Sequence, residues 1–283
     1  MLISKKEITM FLVLSCIWSG TPALPAFAAT QITASAPLEA QQKGAASIQT
    51  MSLLWMRSSA EYRALCYQGY NSAMAEIDKV LAAPKSAKPL AIVLDCDETV
   101  VDNTKAMATA AVNGNTNYTS PWWRDTVHAG KAVAMPGATE FLQNVHKKGI
   151  DIFYVSNRYE KINFDPTIKS LRAMNFPSVD KKHVLLMNNS SNKQIRFDAI
   201  AKDYKVIVYM GDNAGDLPLD TNDKKTAARN AIIDKHKADF GTKYIVFPNP
   251  AYGSWVSALA DKYSKMSAAE KDAVDRTILL KDN

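Results

Sequence analysis

The sequence predicts an α/β fold: a parallel sheet with helices on both faces, plus a small, mostly helical cap. Three observations predict it. Five short, continuous apolar runs have the length of strands buried on both faces. Helical patterns with clear end signals separate these runs, as strand–helix–strand crossovers require. One interval, about 103–135, is too long and too mixed in composition to be a simple connection. The layout is Rossmann-like, and residues 29–283 read as a single domain of this kind, with no internal repeat and no low-complexity segment.

In chain order, residues 1–28 come first and read as a signal peptide. Lys5 and Lys6 precede an apolar stretch over 8–18, and Ala26-Phe27-Ala28 supplies small residues for cleavage before Ala29. A stretch of 11 residues is short of the ~20 needed to span a bilayer. Val13-Leu14-Ser15-Cys16 offers an alternative, an outer-membrane lipoprotein anchored through Cys16, but cutting there leaves an apolar core of only 8–12. No later segment is apolar enough to form a membrane span, so the expected location is periplasmic or secreted.

Residues 48–82 carry Leu54, Leu65, Met74, Ile77 and Leu81 at helical spacing, which predicts an N-terminal extension of one or two helices ended by Pro84 and Pro89. Apolar runs then follow at 90–94, 152–155, 184–186, 206–210 and 245–247. Pro136 starts a helix that carries Phe141, Leu142 and Val145 and stops at Gly149; Asp165-Pro166 is expected to cap another with Ile168, Leu171 and Met174. The inserted interval 103–135 mixes Asn, Gly and Thr with Tyr118, Trp122 and Trp123, and is placed as a cap beside the end of the first strand, the two tryptophans as its packing.

With 47% hydrophobic and 22% charged residues the chain is not a disordered one. The net charge of +6 comes from short pairs such as Lys147-Lys148 and Lys224-Lys225, so nothing resembles an arm for a nucleic acid polymer. Cys66 and Cys96 remain after the signal; one bridge is possible, and two small buried thiols are the favoured reading.

The chemistry lies at the strand ends. The run 90–94 ends in Asp95-Cys96-Asp97-Glu98-Thr99, so carboxylates two residues apart emerge at the edge where open α/β sheets bind ligands. A calcium loop fails, because Val100 stands where Gly is needed and Ala106 where a bidentate Glu is needed. A glycosidase pair has no defined second carboxylate. The run 206–210 ends in Gly211-Asp212-Asn213-Ala214-Gly215-Asp216. If these strands are neighbours, Asp95, Asp97, Asp212 and Asp216 converge, and such crowding calls for a cation; an all-oxygen set suits Mg²⁺. Ser156 and Asn157 close a third strand with short donors for phosphate oxygens. Ser191-Asn192-Lys193-Gln194 reads as a capping box, which puts Lys193 in the first turn of a helix, where the dipole disfavours a cation unless an anion is near. The parts together describe phosphoryl transfer.

At these residues the chain resembles the haloacid dehalogenase (HAD) superfamily, and more narrowly the class C bacterial acid phosphatases related to the outer-membrane lipoprotein e. The narrower likeness adds Ser59-Ala60-Glu61-Tyr62-Arg63-Ala64-Leu65 and Pro248-Asn249-Pro250-Ala251-Tyr252-Gly253-Ser254-Trp255, and spans about 53–259. It departs at Cys96, where an aliphatic residue is usual, and at Leu217, where Phe is. The resemblance implies the HAD fold and a Mg²⁺-dependent acid phosphatase acting on phosphomonoesters, often nucleoside 5'-monophosphates. It implies Asp95 as nucleophile and metal ligand, Asp97 as general acid and base that also ligates through its carbonyl, Asp212 as a further ligand and Asp216 outside the metal shell. Ser156, Asn157 and Lys193 are expected to bind phosphate, Tyr252 and Tyr118 to clamp the base, and a homodimer to form partly through the N-terminal helices. A binding or storage protein on the same fold and a phosphotransferase to alcohols are the alternatives.

Overall fold

The computed structural model describes residues 48–115 and 118–281. The expected signal peptide and Cys16 lie outside the described residues. The helical stretch is two helices, α1 (Ile48–Ser58) and α2 (Ala60–Ala82). They divide at Ser59, whose side chain accepts from the Tyr62 N–H and caps α2. The buried face of α2 is Tyr62, Cys66, Tyr70, Ala73 and Ile77, so Leu65 and Leu81, expected inward, point out. The helical period is as expected, but large aromatic residues occupy the inner stripe and displace the leucines from it.

The remaining elements are β1 (Leu90–Leu94), β2 (Val101–Asp102), α3 (Thr104–Val112), α4 (Ser120–Ala129), β3 (Val133–Ala134), α5 (Ala138–Lys147), β4 (Asp151–Tyr159), α6 (Glu160–Ala173), β5 (Val184–Met187), α7 (Gln194–Asp203), β6 (Lys205–Gly211), α8 (Thr226–Lys235), β7 (Tyr244–Val246), α9 (Ser254–Ala258) and α10 (Ala268–Leu279). The sheet runs β5-β4-β1-β6-β7 with every pairing parallel. β1 is central, so the ends of β1, β4 and β6 are neighbours, and the chain leaves β1 toward opposite sides of the sheet, the arrangement that opens a crevice at the carboxyl edge.

Alternate residues of each strand enter different cores. Ile92, Leu94, Ile152, Tyr154, Val208 and Met210 pack on the face covered by α2 and α5, whereas Ala91, Val93, Phe153, Val155 and Tyr209 meet Phe197 and Ile200 of α7. A sheet apolar on both faces is what the continuous runs encode. The inserted interval folds as α3 and α4, closed by a short antiparallel ribbon of β2 and β3.

Two local expectations are corrected. Asp165-Pro166 does not start a helix; α6 begins at Glu160 and Pro166 lies inside it. A proline there leaves the carbonyl four residues earlier, Ile162, without its helical donor. His128 of α4 supplies one, with Nε2 2.8 Å from the Ile162 oxygen, so the lost bond becomes the tie between cap and core. The capping box at 191–194 does not form either: the Asn192 side chain accepts from the Gln194 N–H, and Lys193 stands just ahead of α7.

Candidate active site

The ladder between β1 and β6 carries one residue past β1, with the Asp95 N–H donating to the Met210 carbonyl at 2.9 Å. The chain then folds tightly on itself, as the Cys96 carbonyl accepts from the N–H groups of Val100 (3.0 Å) and Val101 (2.8 Å). That turn presents Asp95 and Asp97 side by side at the sheet edge. On the neighbouring strand the backbone of Gly211 passes so close to Asp216 that an added Cβ would lie 2.2 Å from the Asp216 Cβ, so only glycine fits.

Asp95, Asp212 and Asp216 each bring a carboxylate oxygen within 4.8 Å of the others. Lys193 reaches in from the start of α7: its Nζ hydrogen-bonds Asp95 and lies 2.7 Å from Asp216, with the lysine only 1% exposed. Burial and the charges of Asp216 and Asp95 raise the Asp212 carboxyl well above the ordinary range, its hydrogen bond from Asn249 notwithstanding. Burial also raises Asp95, and the Lys193 charge only partly offsets it. Burial alone would lower Lys193, but Asp216 and Asp95 hold its proton above the usual lysine range. The anion expected beside Lys193 is therefore a pair of carboxylates.

Asp97 turns to a different partner. Arg158, from the end of β4, grips it through Nη2 at 2.6 Å and Nε at 3.0 Å, and the Asn103 amide donates at 2.8 Å. Burial pushes Asp97 up, but the Arg158 charge and hydrogen bonds outweigh it and hold Asp97 below the ordinary carboxylate range. The sequence shows Arg158 beside Ser156 and Asn157 without revealing this role; a buried cation at a strand end is the signal that could have found it.

Ser156 is buried, and its Oγ accepts from the Arg158 N–H at 3.1 Å, which leaves its own hydrogen to donate. Asn157 also lines the cavity, but both ends of its amide are engaged: Nδ2 donates to the Ser191 carbonyl at 2.9 Å and Oδ1 accepts from Arg196 at 2.6 Å. These groups floor a cavity of about 410 Å³ whose walls include Tyr252 and Trp123. The two rings stand 5.3 Å apart at 59°. Tyr118 is not among the lining residues; it meets Tyr252 edge-on at 6.4 Å and 83° and packs on Trp122 at 4.6 Å. Trp123, expected as packing, therefore lines the cavity while its ring touches that of Tyr252.

Four carboxylates, Asp95, Asp97, Asp212 and Asp216, stand against two cations, Lys193 and Arg158, so full ionisation would leave two negative charges in excess, and the crowding helps to raise Asp95 and Asp212. The buried, all-oxygen set of Asp95, Asp212 and Asp216 fits a hard divalent cation. Such a site can bind a phosphate dianion over the metal and Lys193, bring a carboxylate to phosphorus, and place a second carboxyl group near the leaving oxygen.

Residues 24–255 match the family described as HAD superfamily, subfamily IIIB (Acid phosphatase). Among solved structures the chain is similar to the class C acid phosphatase from Bacillus anthracis, at 38% identity over 83% of this chain and 97% of that one, with a TM-score of 0.77. It is similar in the same way to that Bacillus anthracis enzyme with tungstate bound, at 37% identity over 83% and 97% of the two chains, TM-score 0.76.

Proposed function

Since the chain belongs to subfamily IIIB of the HAD superfamily and is an acid phosphatase, a phosphoric monoester hydrolase, we propose that it works on nucleoside 5'-monophosphates through an aspartyl-phosphate on Asp95, with Mg²⁺ as its metal. The observation that carries this reading is the pairing of a lysine-bound carboxylate, Asp95, with an arginine-held one, Asp97, on a single turn of chain.

Asp95 attacks phosphorus, the bond to the leaving oxygen breaks, and the proton of Asp97 passes to that oxygen. Asp97, now ionised, takes a proton from the water that attacks phosphorus next; the bond to Asp95 breaks and inorganic phosphate leaves. Lys193 and the Ser156 hydroxyl hold the transferred group, with Asn157 fixed beside them by Arg196. Asp95, Asp212 and the Asp97 carbonyl would hold Mg²⁺, with Asp216 outside them; bound there, the ion neutralises phosphate charge and polarises the phosphoryl oxygens. Tyr252 offers the base a ring to lie against, and Tyr118 backs it from the cap.

The reading of residues 1–28 as an export signal supports action outside the cytoplasm. Among the described residues no helix is long and apolar enough to cross a membrane. The decisive experiment follows phosphate release from a panel of nucleoside monophosphates and an aryl phosphate between pH 4 and 8, with Mg²⁺ and with EDTA. Chelator-sensitive release that is faster at acid pH and favours nucleotides is expected; tight nucleotide binding without release would support the binding-protein alternative.

A further inference from the structure

Glu98 directly follows Asp97 and is fully buried, yet it is remote in role from the phosphate-holding groups. Its backbone sits in the left-handed region at φ 55°, uncommon for a residue with a side chain and of the kind that clusters at functional sites. The surroundings hold it there. The Glu98 N–H donates to the Val101 carbonyl at 2.8 Å, and the Asn103 N–H donates to Oε1 at 2.8 Å. The other carboxylate oxygen accepts from the hydroxyl of Tyr252, 154 residues away in sequence.

The backbone of Tyr252 is tied as well. Asn249 donates from Nδ2 to Asp212 at 2.6 Å, while its Oδ1 accepts from the N–H groups of Ala251 (3.0 Å) and Tyr252 (3.3 Å). The segment 249–252 is thus slung between the acidic turn after β1 and the one after β6, and the ring of Tyr252 is fixed at its phenol end and at its backbone. A ring fixed in advance presents a flat wall without loss of rotamer freedom on binding.

We propose that Glu98 and Asn249 are positioning residues that make this cavity select phosphomonoesters whose leaving group carries a flat aromatic ring lying against Tyr252. The inference rests on the phosphatase reading of the same cavity and assigns the selection to two residues that do not touch the phosphate.

The test measures KM and kcat for adenosine 5'-monophosphate and for glycerol 2-phosphate, which has no ring, in the wild type, Tyr252→Phe, Glu98→Gln and their double variant. Tyr252→Phe keeps the ring and removes only the tether. Glu98→Gln keeps an oxygen for the Asn103 N–H but replaces the acceptor that holds the Tyr252 hydroxyl with an amide N–H, so the hydroxyl must turn to accept and its tether is weakened. The ratio of the two KM values is expected to shift against the nucleotide by about tenfold in Tyr252→Phe, the worth of one buried hydrogen bond, and in the same direction by no more than that in Glu98→Gln. The double variant should go no further than Tyr252→Phe alone, because both changes act on the same contact. An unmoved ratio in Tyr252→Phe, or an equal loss of kcat on both esters, overturns the inference. Tyr252→Phe decides the matter if Glu98→Gln does not fold. If the wild type cleaves both esters and the ratio stays put, the inference alone fails; if it cleaves neither, the phosphatase reading fails first.

Discussion

Arg158 meets Asp97 as a fork, with Nε 3.0 Å from Oδ2 and Nη2 2.6 Å from Oδ1, while its remaining nitrogen donates to Thr167 of α6 at 3.2 Å. The pair is almost entirely out of water, at 5% and 17% side-chain exposure. A planar guanidinium held at three points fixes the direction of the carboxylate as well as its charge, which a lysine at the same place could not do. Asp97 is thereby oriented before substrate arrives. Its depressed pKa adds stability that is present above the unfolded value and is lost as pH falls through the lower folded value.

Removing the arginine should move the pH profile. In Arg158→Gln, burial acts on Asp97 with its main opposing charge gone, so the carboxyl pKa rises. In the proposed mechanism protonated Asp97 serves the leaving oxygen, so activity falls as pH rises through this pKa and the alkaline limb of kcat/KM should move to higher pH. A pH–rate profile with an aryl phosphate measures it. A limb that does not move would mean that another group sets it.

Asp95→Asn should stop turnover by at least about a thousandfold while leaving the fold intact. The amide cannot attack phosphorus, and the substitution removes one of the carboxylates that crowd Asp212. Thermal stability should therefore hold or rise even as phosphate release vanishes. Appreciable release would refute Asp95 as the nucleophile.

Residues adjacent in sequence were the legible ones. Continuous apolar runs ending in carboxylates place Asp95 and Asp212 at strand ends because a buried strand admits charge only where it leaves the sheet. Lys193 was legible through its awkward position ahead of a helix, and two carboxylates stand beside it. Pairings across the fold were not. Arg158 and Asp97 are 61 residues apart and Glu98 and Tyr252 are 154 apart, and no local pattern records such contacts. Pro166 misled because the rule against proline in a helix is local, whereas the donor that makes it tolerable, His128, comes from the cap.

The two thiols should be inert in the folded protein. Burial, with the nearby Asp102 charge adding to it, pushes the Cys66 thiol up to about 12, and burial raises Cys96 further. Both are free and buried. Since the thiolate is the reactive form, iodoacetamide at pH 8 should label neither until denaturant is added, when both should react. Peptide mapping before and after unfolding checks this; labelling of Cys66 in the native state would place it in a more open environment.

The last prediction concerns Lys193 and the metal together. The lysine neutralises Asp95 and Asp216 from a position with 2% side-chain exposure, against 9% for each partner. Lys193→Met keeps the bulk and removes the charge, leaving two buried carboxylates unpaired, a loss of about 3–5 kcal/mol. In the proposed site Mg²⁺ would be held by Asp95 and Asp212, with Asp216 beside them, only when folding brings them into one cluster, so it should raise the melting temperature of the wild type, and EDTA should reverse the gain. In Lys193→Met the ion becomes the main positive charge available to Asp95, Asp212 and Asp216, so the rise on adding Mg²⁺ should be larger than in the wild type. In Asp212→Asn it should shrink, because one anionic ligand is gone. Thermal melts of the three proteins across a Mg²⁺ series read this without any assay of turnover. An equal rise in all three would place the ion elsewhere, since a site built on Asp212 and shared with Lys193 must respond in opposite directions to these two changes.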